Sequence, residues 1–211
     1  MDPVLLILAG VTAFIIFRLI SVMGARTGHE QRYDVDGRHG DAANQDKPLA
    51  EQDDAEPTPP KPVSTNARVL READPSFDEA AFLEGAGKAY EMIVEAFASA
   101  DIRSIRTYLN DSVYEAFKAA VAERDSAGQV TDLKFVGIDR VAIVDSNVEN
   151  EWMSATIEFT SNQVRVTRDS DGNVVEGDPN RIELVKDRWT FSRKHTSRDP
   201  NWMLVATGGA D

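Results

Sequence analysis

From Met153 to Thr160 the chain alternates without a break, with Met153, Ala155, Ile157 and Phe159 on one side and Ser154, Thr156, Glu158 and Thr160 on the other. Successive side chains of a strand point to opposite faces, so this period of two describes a strand with one buried and one solvated face. Such a strand needs hydrogen-bonded neighbours and a cover over its apolar side. Residues 130–144 are rich in β-formers, with Gly137 placed for a bulge. Val164 to Val175 reads as a hairpin around Asp171-Gly172. Residues 182–192 and 202–206 read as further strands.

Ahead of these strands the period is 3.6. Phe82, Ala86, Tyr90, Ile93 and Phe97 recur at three- and four-residue steps and form one stripe of an amphipathic helix. Ser76 and Glu79, after Pro75, fit a capping box at its start. Ile102, Ile105 and Leu109 suggest a short second helix. A third is expected from Asp111, with Val113, Phe117 and Val121 on one face and a stop at Gly128. Helices followed by antiparallel strands imply an α+β domain over residues 76–211, its helices packed on one face of a curved sheet.

Residues 4–23 form an apolar run whose one charge is Arg18. As a helix it would reach about 30 Å, the thickness of a hydrocarbon core. Arg18, Arg26, Arg32 and Arg38 lie at its C-terminal end or beyond, which by the positive-inside rule predicts a single-pass anchor over residues 1–23, N-terminus outside and the rest cytoplasmic. The competing reading is a cleaved signal peptide, with Ser21 to Ala25 as a weak cleavage site and an exported domain. Residues 24–75 carry Pro48, Pro57, Pro59, Pro60, Pro62 and Pro75, many acids and almost no large apolar side chains. That composition predicts a disordered acidic linker.

The net charge of −13 argues against a nucleic-acid partner. The chain has no cysteine, which excludes a disulfide scaffold, a thiolate zinc site and a cysteine nucleophile. His29, His39 and His195 are dispersed, no cluster has metal-ligand spacing, and no nucleophile elbow, phosphate loop or zinc-protease motif occurs. The expectation is a non-enzyme with no catalytic residues, metal or cofactor.

Several separated blocks are similar, in order, to the bacterial, and in particular alphaproteobacterial, relatives of the mitochondrial inner-membrane import translocase subunit 44. They are Phe77-Asp78 with Phe82-Leu83-Glu84-Gly85-Ala86, Tyr90-Glu91-Met92-Ile93, Phe135-Val136-Gly137-Ile138, Asp187-Arg188-Trp189-Thr190-Phe191 and Arg198-Asp199-Pro200-Asn201-Trp202-Met203-Leu204. The N-terminal apolar run and Arg26-Thr27-Gly28-His29-Glu30 share the likeness. The resemblance implies a cone-shaped sheet related to nuclear transport factor 2 folds, enclosing an apolar pocket. It also implies an adaptor at the bacterial inner membrane, since the mitochondrial relative scaffolds an import motor, recruits a DnaK-type chaperone and contacts acidic lipids. Where that relative has a long charged chaperone-binding region, this chain has an apolar span. Membrane-proximal adaptor function therefore transfers more directly than chaperone recruitment.

For such a pocket the candidate lining is Tyr90, Phe97, Phe117, Phe135, Trp152, Asp187 and Trp189, although core packing alone accounts for aromatics at these spacings. Asp187 shares a strand face with Val185, Trp189 and Phe191. A carboxylate turned into the cone would be the base of an isomerase-like enzyme or small-molecule binder, the alternative to an adaptor. A pair with a neighbouring arginine at the sheet edge is the favoured reading. Lys186, Arg188, Arg193 and Lys194 make the last third of the chain locally basic and are candidates for anionic phospholipid, against the reading of a solvated, ion-paired face.

Overall fold

A computed structural model describes residues 63–210; the expected membrane span at residues 4–23 and most of the expected linker lie outside the described residues. A single 3₁₀ turn at Thr65–Ala67 leads into α1 (Arg68–Ala73), followed by α2 (Glu79–Ala98), a 3₁₀ turn at Arg106–Tyr108 and α3 (Asp111–Ser126). Five strands follow: β1 (Val130–Glu149), β2 (Trp152–Arg168), β3 (Val174–Gly177), β4 (Glu183–Lys194) and β5 (Met203–Gly209). The architecture is α+β, as the switch of period implies.

The sheet is antiparallel in the order β1-β2-β4-β5. β3 pairs with the end of β2 that β4 leaves free: Gln163 faces Glu183, and Val166 faces Gly177. β3 and β4 are thus one return strand interrupted by the loop around Pro179. Gly177 has a φ of +82°, and a Cβ there would meet the Arg165 carbonyl oxygen at 2.0 Å, so glycine is required where the loop leaves the ladder. β1 breaks register with β2 three times, the first between Phe135 and Gly137, where a bulge is expected.

The alternation of β2 holds. Met153, Ala155, Ile157 and Phe159 are fully buried and join α2's Phe82, Ala86, Tyr90 and Ile93 in one core. α3 runs as expected, with Asn110 Oδ1 accepting the Val113 amide at 2.9 Å, Val113 and Val121 buried, and Gly128 beyond its end at φ +64°.

Three expectations are corrected. The capping box does not form. Asp78 caps α2, its Oδ1 accepting the amides of Ala80 and Ala81 at 3.0 and 3.1 Å. Ser76 instead donates its amide and hydroxyl to Asp74, and Glu79 accepts the Ser64 amide at 2.6 Å. A carboxylate at the N-cap also answers the helix dipole, which a serine hydroxyl does not. Ile102, Ile105 and Leu109 are buried but form turns and one 3₁₀ turn instead of a helix. Eight residues are too few for a stable helix on propensity alone, and here the chain is drawn toward β5, where Asn110 donates its amide to the Leu204 carbonyl at 3.0 Å.

The third correction moves the domain boundary. Residues 63–75, assigned to the linker, form a strap across the edge of β1. Ala67 and Leu70 have no exposed surface, and Asn66 Nδ2 donates to the Ile143 carbonyl at 3.0 Å while its own carbonyl accepts from the Ser146 hydroxyl. A six-residue helix beside prolines carries too little local signal to be read, because tertiary burial alone sustains it. Leu70→Ala should therefore destabilise the protein by about 2–5 kcal/mol, the usual cost of truncating a buried leucine. Urea unfolding would measure it; a cost near zero would mean that the strap is ornamental.

Candidate functional site

At the middle of α2, Tyr90 faces the sheet between Ala86 and Ile93. It is fully buried and stacks on Phe159 with ring centroids 4.4 Å apart and planes 12° from parallel. Trp189 and Phe135 close on the same ring at 4.7 and 6.0 Å. The period of β2 carries its buried register beyond Phe159 into Ser161 and Gln163, two polar residues, and the period of β4 buries Asp187. These side chains converge on the phenol.

Tyr90 donates its hydroxyl to Asp187 Oδ2 at 2.6 Å. Gln163 Nε2 donates to the Tyr90 oxygen at 3.0 Å and to Ser161 Oγ at 2.9 Å. Tyr90 and Ser161 lie 3.0 Å apart. With Tyr90's single proton committed to Asp187, the proton between these two must come from Ser161. Every donor then has an acceptor, and polarity runs from Gln163 through Ser161 and Tyr90 to the carboxylate, an arrangement in which each bond strengthens the next. Burial first, and then the Asp187 charge and hydrogen bond, push the Tyr90 pKa well above its ordinary value. The phenol stays protonated and serves as a fixed donor.

The structure gathers Tyr90, Phe135, Trp189 and Asp187 of the expected lining and disperses the others. Phe97 and Phe117 make their own pair at 4.7 Å. There Arg124, a residue the sequence reading missed, donates to the carbonyls of Phe97 and Ala98, both at 3.0 Å, and caps α2. Trp152 is 47% exposed with the Lys194 ammonium 5.2 Å from its ring centroid, so it lines no interior pocket. Asp187 is not at a solvated sheet edge as favoured; it is buried against Tyr90.

The basic candidates split by face. Lys186, Arg188 and Lys194 point outward, and Arg188 pairs with Glu158 and Lys194 with Glu151, both at 3.2 Å. Arg193 points the other way. It pairs with Asp74 of the strap, both side chains about six-sevenths covered (13% and 14% exposed), beneath the Trp202 ring at 5.6 Å. Trp202 in turn packs on Phe77 and Phe82. Arg193 is a structural residue and leaves the lipid set.

Concavity lies elsewhere. A groove of about 430 Å³ runs between α2 and the edge of β1, floored by Leu83, Gly87, Phe135 and Ile138. Of the expected lining, Phe135 alone reaches it. No group of three or more potential metal ligands occurs among the described residues.

A helix-covered antiparallel sheet, with its central polar groups sealed and its groove on the surface, defines an α+β domain whose accessible features are on the outside. The family model of the Tim44-like domain matches residues 63–209, and the chain belongs to that family. The match starts at the strap, which is thereby part of the domain. The probable mitochondrial import inner membrane translocase subunit tin-44 of Caenorhabditis elegans is 24% identical over 147 residues, covering 68% of this chain and 35% of the worm protein. Mitochondrial import inner membrane translocase subunit TIM44 of Homo sapiens is 24% identical over 140 residues, covering 65% of this chain and 31% of the human protein. The chain thus spans about a third of the length of these curated relatives. The intermembrane space region of chloroplast protein ARC6 superposes with a TM-score of 0.41 at 12% identity, covering 70% of this chain and 98% of that one.

Proposed function

We propose that this chain is a membrane-tethered adaptor whose Tim44-like domain holds protein partners beside a bacterial inner membrane. Residues 4–23 are the anchor in this reading, with the N-terminus outside and the domain cytoplasmic. The observation that carries the proposal is the match of residues 63–209 to the Tim44-like domain, supported by the likeness to proteins named as subunits of inner-membrane translocases. Protein translocation, membrane-biogenesis or chaperone machinery supplies the partner classes.

The interior supports the same direction. Asp187, the base that an isomerase-like enzyme would use, is engaged by Tyr90 within a packed aromatic cluster and is absent from the groove lining. No catalytic role is assigned to it. Anionic lipid is a secondary partner in this proposal, through Lys186, Arg188 and Lys194 on the outer sheet face. The exposed pairs to Glu158 and Glu151 contribute little to stability, so exchanging a carboxylate for a lipid phosphate costs little.

The test is capture from crosslinked membranes with the full chain as bait, read by mass spectrometry. A reproducible partner should appear and vanish when residues 63–211 are deleted. Identical captures from both baits would sink the adaptor reading.

A further inference from the structure

The groove between α2 and β1 has one lip that is itself an edge. β1 pairs with β2 on one side; on the other, the strap covers it near Ile143 and Ser146, and no described element pairs with it along the groove. Edge strands invite association. This one is ill-suited to an added peptide strand, because its register breaks between Phe135 and Gly137 and again between Ile138 and Arg140. A new strand would meet no regular row of amides and carbonyls there. The lip offers side chains instead, notably Val136, which is 50% exposed.

Charge narrows the choice of occupant. Glu91 on the helical wall and Arg140 on the β1 lip both face the groove and are exposed. Neither side chain makes an ion pair or hydrogen bond among the described residues. Their neighbours are already engaged: Glu84 pairs with Lys88 at 2.6 Å, and Asp139 accepts from Asn162 at 2.7 Å. What remains is one acid on one wall and one base on the other. A two-fold contact needs a surface that complements itself, and opposite free charges on opposite walls provide that. Gly87 keeps the helix close to the strand, since a Cβ there would come within 3.3 Å of Ile138 Cδ1.

We infer that the groove receives the β1 lip of a second copy of this chain, with Val136 entering the apolar floor and Glu91 of each copy meeting Arg140 of the other. The contact is isologous and side-chain mediated; the two sheets do not merge. It does not depend on the adaptor reading.

The test uses the full chain in detergent, followed by sedimentation velocity from micromolar to millimolar concentration. The wild type should dimerise reversibly. Glu91→Arg and Arg140→Glu should each weaken dimerisation about tenfold or more, because symmetry turns two attractive pairs into two repulsive ones. Mixing the two variants should restore it, since each supplies the charges that the other lacks. Because the chain has no cysteine, Glu91→Cys mixed with Arg140→Cys should give a disulfide-linked dimer on oxidation, more readily than Glu91→Cys mixed with Lys186→Cys on the outer face. A wild type that stays monomeric, a mixture that fails to regain association, or equal trapping by both cysteine pairs overturns the inference. A monomeric chain whose charge variants change binding to some other molecule overturns it equally.

Discussion

Tyr90→Phe should destabilise the domain by about 2–5 kcal/mol, because it removes the hydroxyl that links Asp187, Ser161 and Gln163 and leaves a buried carboxylate short of a charge-assisted donor. The ring and its stack on Phe159 are retained, so the loss reports hydrogen bonding and not a cavity. Asp187→Asn should cost less, since the asparagine carbonyl can still accept from Tyr90. The double variant should cost less than the sum, because both substitutions act on the same bond, one by removing its donor and the other by replacing its charged acceptor with a neutral one. Denaturant unfolding of the four proteins gives the cycle. Strict additivity would show that the Tyr90–Asp187 bond is not formed in solution. A role for Asp187 as a base would instead make Asp187→Asn silent in stability, and the network predicts that it is not silent.

Burial of the same hydroxyl, and then the charge and hydrogen bond of Asp187, set a pH dependence at the alkaline end. The Tyr90 pKa is raised from an unfolded value of 10.0, so the folded state holds the phenolic proton more tightly. Its contribution is complete below that value and is lost as the pH climbs from there toward the folded pKa. Tyr90→Phe should begin with lower stability and show a shallower decline above pH 10.0 than the wild type.

The network also marks where sequence reading stopped. The alternation that placed Phe159 in the core runs on to Ser161 and Gln163 in the same register. Two polar residues on a buried face demand partners. The expected alternation ended at Thr160, so that demand went unread although the register carries it. The group that answers it was not legible: Tyr90 sits 71 residues from Ser161 and 97 from Asp187 along the chain, a pairing that only the packing of α2 on the sheet creates. α3, by contrast, was readable from its stripe and its stop at Gly128, which are local signals, whereas its cap at Asn110 is a finding of the structure. The strap failed for the opposite reason. Ala67 and Leu70 are the buried residues of one short helical run, and what holds the strap, from Ile143 to Arg193, is contributed by residues far downstream.

The strap's attachment at Asp74 yields the second large effect. One carboxylate oxygen closes a turn onto the amide and hydroxyl of Ser76, and the other meets the Arg193 guanidinium under Trp202. Arg193→Met retains most of the packing against Trp202 while removing the charge, and strands Asp74 in a site from which water is largely displaced. A loss of about 2–3 kcal/mol is expected, since breaking one side of a covered pair leaves the other uncompensated. Asp74→Asn preserves an acceptor for Ser76 but orphans Arg193. The double variant should recover part of either loss. Burial pushes the Asp74 pKa up, but the Ser76 hydrogen bonds and Arg193 outweigh it, and the net shift is downward. A lowered folded pKa means that the contribution is present above the unfolded value of 3.8 and is lost as the pH falls from there toward the folded one. Asp74→Asn should therefore flatten the acid limb of the stability curve, while the alkaline limb set by Tyr90 stays in place. If acid unfolding is unchanged by Asp74→Asn, the pair does not hold the strap, and its attachment rests on its other contacts, among them Ala67, Leu70 and Asn66.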